Sequence, residues 1–237
     1  MQRLSFARYF YLQVPYYYGL AERLDKLGTK IMPGGLVFEM KKNLKADIKG
    51  IVLAGGRSKR MGKDKGLIDY HGKPQRIYCY ELLKNLGLSS VHISCREDQE
   101  EELSAFGPII DPPGRSGPIF ILENAFQLLH DSALMLIPCD VPLIDKKSLE
   151  FLVANRNLNK IATAFLSPFD HKPEPLLAIW EPSSLDLIQS YIQVGNFSPR
   201  KLLMEADAHV IEAPFPQKLR NVNTPEEAEE IKRFLEE

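Results

Sequence analysis

The chain has 237 residues, of which 44% are hydrophobic and 26% are charged, and this balance excludes disordered, collagen-like and fibrous proteins. Thirty basic residues against 31 acidic ones give a net charge of −1, so the overall charge does not indicate a protein that binds nucleic acid or a membrane surface. No uninterrupted apolar stretch approaches the roughly 18 residues that a membrane span needs, and we expect neither nucleic-acid nor membrane partners.

The first 46 residues differ from the rest of the chain. Aromatic residues crowd the stretch from Tyr9 to Tyr18, and no acidic residue precedes Glu22. Arg3 and Arg8 are features of a transit peptide, but the helical amphipathic pattern is poor and a continuous apolar region is missing. We therefore predict that residues 1–46 are an N-terminal extension of unknown role, which the domain of residues 47–237 does not need.

From residue 47 onward, short apolar runs alternate with amphipathic stretches. Strands are predicted, in chain order, at residues 50–54, 91–94, 108–111, 133–138, 161–166, 176–180 and near 208–212. Helices are predicted between them at residues 75–86, 98–105, 116–130, 146–155 and 183–194, and a charged helix follows at 225–236. Continuous apolar strands alternating with helices predict an α/β fold with a mostly parallel sheet covered on both faces. Such sheets bind ligands outside the carboxyl ends of their strands.

A glycine-rich basic loop follows the first predicted strand. Gly55 and Gly56 would allow a ligand to approach the backbone closely. The next nine residues carry a net charge of +4, from Arg57, Lys59, Arg60, Lys63, Lys65 and Asp64. A polyphosphate would account for this charge, although most charge runs are simply solvated turns. The Walker A and dinucleotide-binding spacings are both absent.

An acidic residue, Asp140, follows the fully apolar run of residues 133–138. A carboxylate at the carboxyl end of a strand faces the ligand crevice, and Mg²⁺ on a triphosphate takes one or two protein carboxylates. The local sequence favours equally a turn aspartate that bonds its own backbone. The three cysteines, Cys79, Cys95 and Cys139, have no Cys-x-x-Cys spacing, which argues against a disulfide framework or a zinc site and predicts a cytoplasmic protein.

The loop Leu-Ala-Gly-Gly-x-Ser-x-Arg-Met-Gly-x-Asp-Lys resembles the signature of the molybdenum cofactor guanylyltransferases. The resemblance continues in the Pro-Cys-Asp-x-Pro block at Asp140 and in the segment Arg220–Glu227. It implies a Rossmann-like three-layer sandwich of the nucleotide-diphospho-sugar transferase type. It also implies transfer of GMP from GTP to the terminal phosphate of molybdopterin or the molybdenum cofactor, with release of pyrophosphate.

The same resemblance assigns roles to particular residues. Arg60 and Lys65 would neutralise the phosphates, and Asp140 and Asn223 would hold Mg²⁺, although Asn223 also suits a structural role before a helix. Nucleotide contacts are implied for Leu53, Ala54, Gly55, Gly56, Lys65, Asp111 and Asp140. Other cofactor-biosynthesis proteins and apoenzyme chaperones are implied as partners.

Two departures from the family pattern leave alternatives open. Ile121 stands where a second glycine is usual, and Cys95 stands where the guanylyltransferases often have Asn. The first affects packing around the loop, and the second affects the preference for guanine. The alternatives are another nucleotidylyltransferase, acting with CTP or on a sugar phosphate, and a non-catalytic GTP-binding protein of the same fold.

Overall fold

The computed structural model describes residues 47–56, 58 and 61–236. Within these residues the strands are β1 (Ile48–Leu53), β2 (Ser90–Cys95), β3 (Pro108–Ile110), β4 (Ala133–Pro138), β5 (Ala162–Leu166), β6 (Pro173–Trp180) and β7 (His209–Glu212). The helices are α1 (Gln75–Lys84), α2 (Glu100–Leu103), α3 (Pro118–Leu129), α4 (Lys146–Ala154), α5 (Leu185–Gln193), α6 (Pro199–Glu205) and α7 (Pro225–Glu236). The predicted extension, residues 1–46, lies outside the described residues.

The strands form one sheet in the order β3-β2-β1-β4-β6-β5-β7. All pairs are parallel except the two that β6 makes, with β4 and with β5. The register aligns Leu53 with Ser94 on one side and with Pro138 on the other, so β1, β2 and β4 end close together at the same edge. The predicted mostly parallel sheet is confirmed, and this edge is where ligands are expected.

Helices cover both faces of the sheet because both faces are apolar. One core cluster joins the sheet to α1 and α4, through residues such as Leu83 and Leu152. The other joins it to α3, α5 and α6, through residues such as Leu122 and Ile188. All six residues of β4 are buried, as expected for a central strand that is covered on both sides. The result is the three-layer sandwich that the sequence predicts.

Sequence reasoning located most elements but missed one helix, α6. Its start carries a recognisable signal, since Ser198 accepts a hydrogen bond from the backbone N–H of Lys201 and Pro199 occupies the first helical position. The predicted polar helix at 98–105 is a short α2 flanked by two 3-10 turns. In the described part of the chain, none of the helices is both long and apolar enough to cross a membrane.

Candidate active site

A cleft of about 1430 Å³ lies at the carboxyl ends of β1 to β4. Its volume exceeds the roughly 300–1,000 Å³ of a typical small-molecule pocket. Of the nine residues predicted for the site, seven line this cleft: Leu53, Ala54, Gly55, Gly56, Lys65, Asp111 and Asp140. Arg60 lies outside the described residues, as do Arg57 and Lys59 of the same loop.

The glycine turn begins where β1 ends. The backbone N–H of Ala54 donates to the carbonyl of Ser94 at 2.8 Å and so extends the pairing of β1 with β2 by one residue. Gly55 then packs directly against the carboxyl group of Asp111: a Cβ atom at Gly55 would lie 2.8 Å from Cγ of Asp111 and closer still to Oδ2. A Cβ atom at Gly56 would meet no heavy atom within 4 Å among the described residues, its chain neighbours aside. Gly55 is therefore required by close packing, whereas Gly56 leaves its surroundings open to a ligand.

Asp111 follows β3 and is held by its neighbours on β2. Its backbone N–H donates to the carbonyl of Cys95 at 2.8 Å, and its Oδ1 accepts a hydrogen bond from the buried hydroxyl of Ser94. Burial raises the pKa of Asp111, while the Ser94 hydrogen bond and the charge of Arg96 lower it in part. The result is a fixed, partly desolvated acceptor in the wall of the cleft.

Lys65 joins the two predicted metal ligands. Its Nζ lies 3.4 Å from Oδ2 of Asp140 and donates to Oδ1 of Asn223 at 2.8 Å. The side chains of Lys65 and Asp140 are 19% and 31% exposed, which leaves both within reach of a ligand in the cleft. Lys65, Asp140 and Asn223, all three predicted from the sequence as site residues, thus lie together, with Lys65 in contact with the other two.

The segment that carries Asn223 is anchored on both sides. The backbone N–H of Val222 donates to the carbonyl of Asp140 at 2.7 Å, which ties this segment to the end of β4. Glu227 accepts hydrogen bonds from the backbone N–H groups of Asn223 and Thr224, and Thr224 Oγ1 accepts from the N–H of Glu227. This reciprocal pair is a capping box, which starts α7 and identifies Thr224 as its N-cap. Asn223 thus precedes the helix while its side chain remains directed to Lys65.

The oxygens of Asp140 and Asn223 fit a single shared cation. The ammonium group of Lys65 lies within 3.4 Å of both, so one positive charge can interact with the two oxygens together. A carboxylate and an amide oxygen are hard donors of the kind that Mg²⁺ takes, usually one or two from protein with the rest from water and phosphate. Within the residues that the structure describes, His, Cys, Asp and Glu form no group of three or more that could hold a metal ion. A magnesium ion on Asp140 and Asn223 would take its remaining donors from water and phosphate.

Arg96 lines the cleft but was not selected from the sequence. It follows β2 directly, and the rule that ligands bind beyond strand ends would have found it. Its Nη1 donates to the carbonyl oxygens of Gly55 and Gly56, at 3.3 and 3.5 Å. Its Nη2 lies 3.7 Å from Oδ2 of Asp64, the residue before Lys65. One side chain thus contacts both ends of the glycine-rich loop.

The two departures from the family pattern have different surroundings. The Cys95 side chain is fully buried in the core, and burial raises the pKa of its thiol to about 11, with a smaller contribution from Asp111. It is Arg96, the next residue, that lines the cleft. Ile121 itself lines the cleft, on α3, which begins at Pro118 with Gly117 as its N-cap. Cys139, beside Asp140, is buried and only 5% exposed.

Comparison with known proteins gives consistent matches. Residues 50–210 match the MobA-like NTP transferase domain. The chain is 32% identical over 184 residues to a molybdenum cofactor biosynthesis bifunctional protein of Synechocystis, an alignment that covers 77% of this chain and 53% of that protein. It is 30% identical over 180 residues to a molybdenum cofactor guanylyltransferase of Pseudomonas fluorescens, covering 74% of this chain and 89% of that protein. The chain thus spans about half of the bifunctional relative.

A solved structure shares the fold. The molybdopterin-guanine dinucleotide biosynthesis protein A of Archaeoglobus fulgidus aligns with a TM-score of 0.61 at 24% sequence identity. The alignment covers 79% of this chain and 98% of that one. At this identity the likeness shows the three-layer α/β architecture alone.

Proposed function

This chain belongs to the MobA-like NTP transferase family, and we propose that it transfers GMP from GTP to the terminal phosphate of molybdopterin or the molybdenum cofactor, releasing pyrophosphate. The observation that carries the proposal is the grouping of Lys65, Asp140 and Asn223 at the edge of a large cleft that also contains the glycine turn. A cation and hard oxygen donors beside an open backbone turn suit a metal-bound triphosphate. The names of the curated relatives support guanine as the base and the molybdenum cofactor as the acceptor.

The acceptor supplies its own nucleophile in this reaction. A phosphate monoester has a second pKa of about 6 and is largely ionised at neutral pH, so a general base is not required. An acceptor phosphate oxygen attacks the α-phosphorus of GTP, the bond to the β-phosphate oxygen breaks, and pyrophosphate carries the electron pair away. Catalysis then consists of alignment and of neutralising the negative charge that gathers on the phosphates.

The residues of the cleft divide these tasks. Leu53, Ala54, Gly55 and Gly56 bind the nucleotide through their backbone, and Asp111 accepts hydrogen bonds from it. Lys65 neutralises the triphosphate and the departing pyrophosphate, and we assign the same role to Arg60. Asp140 and Asn223 would hold Mg²⁺, and when bound the ion supplies positive charge at the phosphate oxygens.

We also propose that residues 47–237 form the transferase domain and that residues 1–46 are not needed for the reaction. A cytoplasmic location is supported by the three cysteines, which are buried and free. We also infer contacts with cofactor-biosynthesis proteins or apoenzyme chaperones, because the product has to reach an apoenzyme. Two measurements would test this division of the chain. Mass spectrometry would identify the natively expressed N-terminus, and an activity assay would be made on a chain that begins at residue 47.

The decisive assay measures pyrophosphate release with defined substrate pairs. The purified protein is incubated with GTP or CTP and with molybdopterin, the molybdenum cofactor or a sugar 1-phosphate, in the presence of Mg²⁺. We expect release only with GTP and a molybdopterin acceptor, and its loss in an Asp140→Asn control. Release with CTP or a sugar phosphate instead would indicate another nucleotidylyltransferase. Tight GTP binding without release, whatever the acceptor, would indicate a binding protein.

A further inference from the structure

Arg96 connects the beginning and the end of the glycine-rich loop. At the beginning, its Nη1 donates to the carbonyl oxygens of Gly55 and Gly56. At the end, its Nη2 forms an ion pair with Asp64 at 3.7 Å. The loop between these two contacts carries the basic residues of the site. The guanidinium makes these contacts through two separate nitrogens, and so spans a wider gap than the single nitrogen of an ammonium group can.

Asp64 transmits this contact to Lys65. Its Oδ1 accepts a hydrogen bond from the backbone N–H of Gly66 at 2.9 Å and so caps the 3-10 turn of Lys65–Leu67. Its Oδ2 accepts from Nε2 of Gln99 at 2.8 Å as well as pairing with Arg96. The side chain of Asp64 is only 16% exposed, so these contacts fix the turn from which Lys65 extends to Asp140.

Arg96 is itself held in place. Its Nε donates to Oδ1 of Asp98 at 3.0 Å, and its backbone N–H donates to Oε1 of Gln99 at 3.0 Å. Gln99 therefore binds both Arg96 and Asp64, and its own side chain is buried. The guanidinium is thus oriented before any substrate binds, so that little side-chain entropy is lost afterwards.

The carbonyl contacts determine which way the turn faces. In a planar trans peptide, the C=O and N–H groups point in opposite directions. Because the Gly55 carbonyl faces Arg96, the N–H of Gly56 in the same peptide faces away from it. A donor fixed in this way can bind an anionic oxygen without first reorganising.

We propose that Arg96 is a positioning residue that fixes the orientation of the glycine turn and its spacing from Lys65, so that both ends of the loop meet one polyphosphate. This inference rests on the proposed function, because it assumes a nucleotide substrate. It predicts that the shape of the guanidinium, and not its charge alone, is needed for binding. Lysine at this position keeps the charge but can reach only one end of the loop.

The first test needs no nucleotide. Hydrogen exchange followed by mass spectrometry is compared for wild type, Arg96→Lys and Arg96→Met across residues 64–68, where the N–H groups of Gly66 and Leu67 are bound to Asp64. We expect exchange there to be about tenfold faster in both variants, because opening of the turn becomes easier. Exchange in α5, residues 185–193, should stay unchanged, which separates a local effect from general destabilisation. Arg115→Lys is the matched control, because Arg115 lines the same cleft but pairs with Glu123.

The second test measures the affinity for a non-hydrolysable α,β-methylene analogue of GTP with Mg²⁺ by calorimetry. Both Arg96 variants should bind about 10- to 100-fold more weakly than wild type, the range expected for lost charge-assisted hydrogen bonds. Wild-type exchange and affinity in Arg96→Lys would overturn the proposal, because charge would then suffice. Faster exchange with unchanged affinity would overturn it too. If wild type bound no nucleotide, the proposed function would fail, and the exchange comparison would still decide whether Arg96 fixes the loop.

Discussion

Replacing Gly55 by alanine tests the packing between the glycine turn and Asp111. The added methyl group would lie 2.8 Å from Cγ of Asp111 and nearer to its Oδ2. Neither Gly55 nor Gly56 has a positive φ, so alanine fits the backbone conformation at both positions. The effect of Gly55→Ala is therefore steric and directed at one carboxylate.

The size of the effect follows from the geometry. Carbon atoms in contact are about 3.5–4.0 Å apart, so the Asp111 carboxyl group has to retreat by about 1 Å. Such a shift breaks the hydrogen bond from Ser94, whose hydroxyl is buried. The combined cost of overpacking and of a lost bond to a charged group is about 1–3 kcal/mol. If the displaced carboxylate also loses a hydrogen bond to the nucleotide worth about 1–3 kcal/mol, affinity falls by about 5- to 150-fold.

The assay compares Gly55→Ala with Gly56→Ala, whose new methyl group would meet no described residue within 4 Å apart from its chain neighbours. Thermal unfolding and binding of the α,β-methylene GTP analogue are measured for both variants. Gly55→Ala should lower Tm and affinity, whereas Gly56→Ala should leave Tm near the wild-type value. In the double variant with Asp111→Ala, the steric overlap is gone, so Gly55→Ala should add no further loss of Tm. Equal Tm and affinity for the two single alanine variants would refute the reasoning.

Three further predictions concern charged residues. Asp140→Asn should lower turnover by about 10²- to 10³-fold, by analogy with losing one transition-state donor, and unchanged magnesium-dependent turnover would remove Asp140 from the site. Lys65→Ala should lower kcat/KM for GTP while circular dichroism shows an intact fold. Wild-type kinetics would contradict the role of Lys65 in binding phosphate. Burial opposes ionisation of Asp145, the N-cap of α4, but hydrogen bonds from Lys218 and Ser148 lower its pKa below the usual value. A carboxyl group whose pKa is lowered in the folded state stabilises the fold above about pH 4, and this stabilisation is lost as the pH falls through the folded-state pKa. Asp145→Ala should therefore lower the free energy of unfolding by about 1 kcal/mol at pH 7 and by less near pH 3. A loss that urea unfolding finds unchanged between these pH values would contradict this.

Much of the fold follows from local sequence because its strands are central and buried. The run Ala133–Pro138 is apolar at every position, and it forms β4 with the predicted bounds. Alternation of such runs with helices predicts parallel pairing, and parallel pairing places strand ends at one edge. This pattern predicts that Gly55 and Asp140 lie at one edge, whereas the role of Asp111 is implied by the family resemblance; all three line the same cleft.

The contacts within the site did not follow from sequence, because they join distant parts of the chain. Lys65 and Asn223 are 158 positions apart, and Arg96 reaches Gly55 across 41. Local patterns describe residues within a few positions of one another, so a charge run reveals basic side chains but not their partners. For the same reason the sequence left two roles open for Asn223, a structural one before the helix and a metal ligand. Only the contact between its side chain and Lys65 places it in the site.

The ion pair between Lys65 and Asp140 also predicts how Asp140→Asn changes the affinity for GTP with and without metal. An ammonium that is bound to a carboxylate has to leave it, at least in part, before it can bind phosphate. Asp140→Asn removes that competitor, so in the absence of divalent metal GTP should bind the variant more tightly than wild type. The pair is partly exposed, with side chains 19% and 31% accessible, so the gain is that of a surface ion pair, about two- to fivefold in affinity. With Mg²⁺ present the order should reverse, because the variant lacks a metal ligand. Calorimetric titrations of each protein with GTP, in the presence of either EDTA or Mg²⁺, measure both changes in affinity. Weaker metal-free binding by Asp140→Asn would mean that Lys65 does not exchange between carboxylate and phosphate.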